Sequence, residues 1–347
     1  MSAPRWWSAF LASARQAWWA IPPVVVGALA LAGWLIPTNQ FLVLPGETVN
    51  ASKLVSLAPS APGKVGAPGQ LLLVTVYSAP ANVDEWLFAH VYPHAELVPA
   101  HTQIPPNTSF NAFQHQEARM MTDSQTTARV VAFQQLGYTV TLHGQGAIVL
   151  QVVPGSPAAA AGLQRGDDIT ALDGTATHTA AELADQLGQH RPGDAVTLTV
   201  SSPQATTREL KVTLGQRPNA ASTAFLGVSL GTDRPTYTFP KDVRINARGI
   251  IGPSGGLVLA LQIIQALSPG DITHGKVIAA TGTIEPDGRV GPIGDVQAKV
   301  VAAEGKAQFF LVPTANAAAA EQQAGNALRI VPVSTLEQAL AFLKTLG

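Results

Sequence analysis

The longest apolar stretch of the chain lies near its start. From Gln16 to Gly46 no residue carries a formal charge, and Ile21 to Ile36 is dense in Val, Leu, Ala and Ile. With its flanks this run reaches the ~20 residues of a spanning helix, so the pattern predicts one N-terminal transmembrane helix. Pro22 and Pro23 sit near its start, where proline is tolerated. Trp18 and Trp19 at one end and Trp34 at the other fall where an interfacial aromatic belt would lie. Arg5 and Arg15 precede the run without an acid between them, which puts the N-terminus in the cytoplasm and the body of the chain on the extracytoplasmic side. Trp7, Leu11, Ala14 and Trp18 recur at helical spacing, a pattern suited to lying along a membrane surface. A cleaved signal peptide with Ala30-Leu31-Ala32 as its small-x-small site is the competing reading. Apolar residues continuing through Trp34–Ile36 and Phe41–Leu44 favour an uncleaved single-pass anchor over residues 1–38.

Beyond the anchor, strand and helix periods alternate. Gly69 to Val76 reads as a strand, and Met120 to Gln135 as a helix with Met121, Ser124, Ala128, Val131 and Ala132 near helical spacing. Gly146 to Val153 is rich in β-branched residues and reads as a buried strand. A serine-proline pair, Ser156-Pro157, then starts a short alanine helix that Gly162 ends. Asp173-Gly174 marks a turn, a second helix covers Ala180 to Leu187, and Val196 to Val200 is again a strand. Lys241 to Ile245 reads as the strand leading to Gly252-Pro253-Ser254-Gly255-Gly256.

That last motif carries the chemistry. A serine among small residues, opening an apolar segment, is an exposed nucleophile at a helix N-terminus, where free backbone N–H groups can stabilise an oxyanion. A serine hydroxyl needs a base. None of the eight histidines sits in a motif suggesting a Ser-His-Asp triad. Lys299, among Val296, Val300, Val301 and Ala303, is a lysine whose pKa desolvation would lower. Taken alone, each is more ordinary: a Gly-rich turn, a solvated lysine, a strand-end threonine.

Composition narrows the field. The 347 residues hold no cysteine, which removes disulfides, thiol catalysis and zinc-thiolate sites. A net charge of −1 offers no footprint for nucleic acid. There is no Gly-x-x-x-x-Gly-Lys-Ser/Thr phosphate loop and no His-Glu-x-x-His, so neither a nucleotide nor a metal cofactor is expected.

Four blocks together carry a resemblance: Gly252-Pro253-Ser254-Gly255-Gly256; Thr281-Gly282-Thr283-Ile284; Gly288-Arg289-Val290-Gly291-Pro292-Ile293-Gly294; and Lys299 with Val300-Val301-Ala302-Ala303. In order and spacing they resemble the proteolytic domain of Lon proteases. The resemblance implies Ser254 as nucleophile, Lys299 as general base, Thr281 orienting the lysine, and a homo-oligomer such as a hexamer. Ile251 stands where ATP-dependent Lons carry an acid, and Gly255 replaces a common alanine. Residues 138–217 resemble a bacterial PDZ domain through Gly155-Ser156-Pro157-Ala158, Ala161-Gly162-Leu163, Gly166-Asp167-Asp168-Ile169 and Asp173-Gly174. PDZ domains bind extended C-terminal peptides; His143-Gly144-Gln145-Gly146 and Leu136-Gly137-Tyr138 are both candidates for the carboxylate loop. The strand and Met-x-x-Ser helix ahead of the PDZ resemble the start of the Lon fold. The expected architecture is therefore α+β: a transmembrane helix, then a Lon-type domain, residues 39–137 and 218–347, split by an inserted PDZ. The expected activity is ATP-independent serine endopeptidase cleavage of unfolded or exposed extracytoplasmic polypeptides. A silent PDZ scaffold is the alternative; a trypsin-like PDZ protease is disfavoured because its Gly-Asn-Ser-Gly-Gly is absent.

Overall fold

A computed structural model describes residues 21–58, 69–203, 206–217 and 220–347. The chain divides into two compact units, Met1–Gly137 with Lys241–Gly347, and Tyr138–Pro240. The second unit thus interrupts the first in sequence.

The first unit is built on a six-stranded mixed sheet. Its strands are β1 (Pro37–Asn50), β3 (Gln70–Asn82) and β4 (Glu96–Pro99) from the N-terminal segment, and β6 (Val277–Ala280), β7 (Phe309–Pro313) and β8 (Arg329–Val333) from the C-terminal one. They lie in the order β8-β7-β6-β3-β1-β4. A separate antiparallel pair joins β2 (Val55–Ala58) to β5 (Asp242–Ile245). The strand leading to the serine motif therefore lies outside the main sheet. β6 runs parallel to both β3 and β7, with Ala280 opposite Leu73 and Leu311. This pairing stitches the two segments into one layer. Leu71 to Val74 are buried in succession, as expected of a strand covered on both faces.

The longer helices of this unit are α1 (Ile21–Leu35), α2 (Val83–Val91), α3 (Phe110–Gln135), α4 (Gly256–Leu267), α5 (Val296–Ala303), α6 (Ala317–Ala324) and α7 (Leu336–Lys344). α4 is apolar nearly all round, with every residue from Gly256 to Ile264 buried, which is how such a helix must be placed. It packs against α3, β2 and β3. α3 starts at Phe110, ten residues before the apolar spacing begins at Met120. Ser109 caps it by accepting from the Ala112 N–H, and the mostly polar, mostly exposed first turns carry no periodic signal.

The expected transmembrane helix is not supported. Among the described residues no helix is long and apolar enough to cross a membrane. The described part of α1, Ile21–Leu35, has 15 residues, about 22 Å at 1.5 Å per residue, against a hydrocarbon core of about 30 Å. The apolar residues after it have another use: β1 starts at Pro37, and Phe41, Leu42 and Val43 are core residues of the sheet. The described part of that charge-free sequence, Ile21 to Gly46, is thus shared between a helix and a buried strand. The expectations for Arg5, Trp7, Leu11, Ala14, Arg15, Trp18 and Trp19 lie outside the described residues.

In the second unit five strands run antiparallel to their neighbours in the order Thr207–Thr213, Ala195–Ser201, Asp168–Leu172, Ala147–Val152, Val228–Thr232. Helices Pro157–Ala160 and Ala180–Gly188 accompany the sheet. Val149, Ile169, Leu183, Leu198 and Val200 fill its core. The last strand lies beyond Arg217, so the unit runs further along the chain than the PDZ-like pattern does.

Candidate active site

The serine motif folds as a pinned turn. Gly252 sits at φ 87°, a backbone conformation that side chains disfavour, and its N–H donates to the Glu117 carbonyl at 3.2 Å. Pro253 opens a single 3₁₀ turn, Pro253–Gly255, that runs into α4. From one side Ser124 Oγ on α3 donates to the Pro253 carbonyl at 3.0 Å. From the other, the Gly282 N–H donates to the Ser254 carbonyl at 2.8 Å, and the Leu257 N–H donates back to the Gly282 carbonyl at 3.1 Å. Four backbone or side-chain bonds therefore fix where the half-buried Ser254 points before any substrate arrives.

Lys299 lies on α5, whose apolar neighbours Val296, Ala298, Val300, Ala302 and Ala303 are buried with it. Only 4% of Lys299 is exposed. Its Nζ is 3.0 Å from Ser254 Oγ and 3.4 Å from Thr281 Oγ1. Burial pulls its pKa from 10.5 down to about 8, with Asp295 opposing the fall. Thr281, buried at the end of β6, spends its hydroxyl proton on the Ser254 carbonyl at 3.2 Å. Its oxygen lone pairs are left to face the lysine, which fixes the direction of the amine. Ser254, Lys299 and Thr281, from three separate elements, thus meet at one point. Among the described residues no histidine is hydrogen-bonded to Ser254, and no cluster of His, Asp and Glu could hold a metal.

Two residues at the site carry no local sequence signal. Glu117 approaches the turn from α3: Oε2 lies 3.0 Å from where a Cβ on Gly252 would sit, and burial raises its pKa. Asp295 stands at the N-terminus of α5 with φ 54°, rare for a residue with a side chain. Its Oδ1 accepts from Gln103 Nε2 at 3.1 Å, and Glu96 is raised by burial and by the Asp295 charge. Only the positive φ could have marked Asp295, and a single sequence does not display φ.

Two segments of the chain match known domain families. Residues 235–345 match the family described as the Lon protease (S16) C-terminal proteolytic domain, and residues 134–214 match the PDZ domain family. A Lon protease of Azorhizobium caulinodans is 30% identical over 189 residues, covering 51% of this chain and 21% of that protein. A Lon protease of Rhizobium meliloti is 36% identical over 94 residues, covering 26% of this chain and 11% of that protein. The chain thus spans about a fifth or less of the length of these relatives. Among solved structures, the PDZ domain of an SdrC-like protein from Listeria monocytogenes is 26% identical, covers 25% of this chain and 87% of that chain, and has a TM-score of 0.23. The chain carries a Lon-type proteolytic domain, a module of the serine-peptidase class, together with a PDZ domain. The family match begins at residue 235, whereas the compact unit holding the site also takes in β1, β3 and α3 from the N-terminal segment.

Proposed function

We propose that this protein is an ATP-independent serine endopeptidase working through a Ser254–Lys299 dyad. The carrying observation is the 3.0 Å separation of Nζ from Oγ by a lysine buried to 4% exposure. Burial of a lone ammonium lowers stability, and a site that keeps it gains a base titrating near pH 8.

In the neutral form the amine takes the Ser254 proton as Oγ attacks the scissile carbonyl. The positive end of α4, which opens directly after the Ser254 turn, favours the developing oxyanion. The resulting ammonium returns its proton to the leaving amine, which breaks the C–N bond and leaves an acyl-serine. Water, deprotonated by the same lysine, releases the acid. Thr281 holds the amine toward Oγ throughout.

The sequence contains no phosphate loop, so the reading requires no nucleotide. Substrates are polypeptides that present an unfolded or extended segment, and the PDZ domain contributes by capturing an extended peptide end. The test is cleavage of fluorescein-casein without nucleotide, comparing the wild type with Ser254→Ala. A fall of at least about a thousandfold with an unchanged circular dichroism spectrum is expected. Equal turnover by the variant would refute the assignment.

A further inference from the structure

The side of α3 turned toward the serine motif ends in a carboxylate that the dyad chemistry does not use. Glu117, Met121 and Ser124 stand at i, i+4 and i+7, one stripe of the helix. All three reach the turn that carries the nucleophile. Ser124 Oγ donates to the Pro253 carbonyl at 3.0 Å, and Met121 Cε lies 3.8 Å from where a Cβ on Gly255 would sit. The Glu117 carbonyl accepts the Gly252 N–H at 3.2 Å, and its side-chain Oε2 lies 3.0 Å from the Cβ position of Gly252. Met121 and Ser124 are buried and Glu117 is half-buried, so the stripe runs from packed core to open surface two residues before Ser254.

Among the described residues no donor and no cation pairs with the Glu117 side chain, and desolvation alone displaces its pKa, upward. A carboxylate that loses water without gaining a partner lowers stability, and a cation brought by a ligand would supply that partner. The adjoining Ile251 is 49% exposed, an apolar surface along which a long basic side chain can lay its stem while its charged head reaches the carboxylate. We propose that Glu117 is a specificity-determining residue, pairing with a lysine or arginine of the polypeptide substrate close to the scissile bond. The proposal rests on the peptidase reading of Ser254 and Lys299 and adds to it the class of substrate preferred.

The test uses the full chain and internally quenched peptides of otherwise uncharged sequence, each with one lysine or, at the same place, one glutamine. Cleavage sites are read by mass spectrometry and kcat/KM is compared. Wild type is expected to cut the lysine peptide about tenfold faster than its glutamine counterpart, with the lysine at one fixed distance from the scissile bond. In Glu117→Gln that ratio should fall to about one. Glu117→Lys should instead favour a glutamate peptide over the glutamine one, a reversal that a purely structural role for Glu117 would not produce. Wild type that cuts the lysine and glutamine peptides equally would overturn the proposal without any variant. So would a lysine preference that survives in Glu117→Gln, which would assign it to another acid. Wild type that cleaves no peptide at all would overturn the peptidase reading itself, and the proposal with it.

Discussion

Replacing Lys299 with methionine should abolish activity and at the same time stabilise the protein near neutral pH. Methionine has a similar length and no charge, so it fills the pocket between Ser254 and Thr281 without an ammonium to desolvate. The folded pKa of about 8 lies below the ordinary 10.5. Between those values the unfolded chain binds more protons than the folded one, so the stability that this group permits rises as pH climbs from about 8 to 10.5 and is least below 8. The fall from 10.5 to about 8 corresponds to ~3 kcal/mol at pH 7, since a tenfold change in proton affinity is worth about 1.4 kcal/mol. Urea denaturation of Lys299→Met should therefore show a gain of ~3 kcal/mol over wild type at pH 7, shrinking to about 1 kcal/mol or less at pH 10. The wild-type kcat/KM should rise roughly tenfold between pH 7 and 9, half-maximal near pH 8, because only the neutral amine accepts the Ser254 proton. A methionine variant less stable than wild type at pH 7, or a gap that does not change with pH, would refute the idea that the buried amine is strained toward its neutral form.

Lys299→Arg should be inactive at every pH from 6 to 10 in the same peptidase assay, because a guanidinium does not release its proton in that range. Thr281→Val removes a hydroxyl bonded to the Ser254 carbonyl and facing the amine; a loss of about 1–2 kcal/mol in transition-state binding, roughly five- to thirtyfold in kcat/KM, is expected rather than complete inactivity. Gly256→Ala places a Cβ 2.7 Å from both Ser124 Oγ and Ile284 Cγ2, so it should shift the start of α4 and lower both activity and melting temperature. Gly255→Ala brings its Cβ to 3.1 Å from the tip of Leu73 and into ordinary contact with Met121 Cε at 3.8 Å, so it should retain most activity, which a paired assay of the two variants will show.

How far the sequence could be read depended on whether a residue's role was local. Ser254 is announced by the glycines and proline that shape its own turn, Thr281 by the glycine after it, and Lys299 by the small and aliphatic residues of its own helix. Glu117 and Asp295 are set by tertiary approach, from the exposed end of α3 and from an unusual φ, and neither leaves a mark in the local pattern. The apolar run from Gln16 to Gly46 misled for a definite reason. Hydrophobicity alone does not separate a helix from a strand buried on both faces, and here Phe41–Val43 belong to the sheet. The polar first turns of α3 were unreadable for the opposite reason, since an exposed helix held by one cap has no apolar period.

The most direct test of the central claim is the site of acylation. Wild type and Lys299→Ala would be incubated with an activated peptide ester, quenched in acid, and mapped by mass spectrometry of proteolytic fragments. The account predicts one acyl group, on Ser254 within the Gly252–Gly256 turn, formed at least about a thousandfold more slowly in Lys299→Ala. An adduct on another residue, or equal acylation rates in the two proteins, would contradict it.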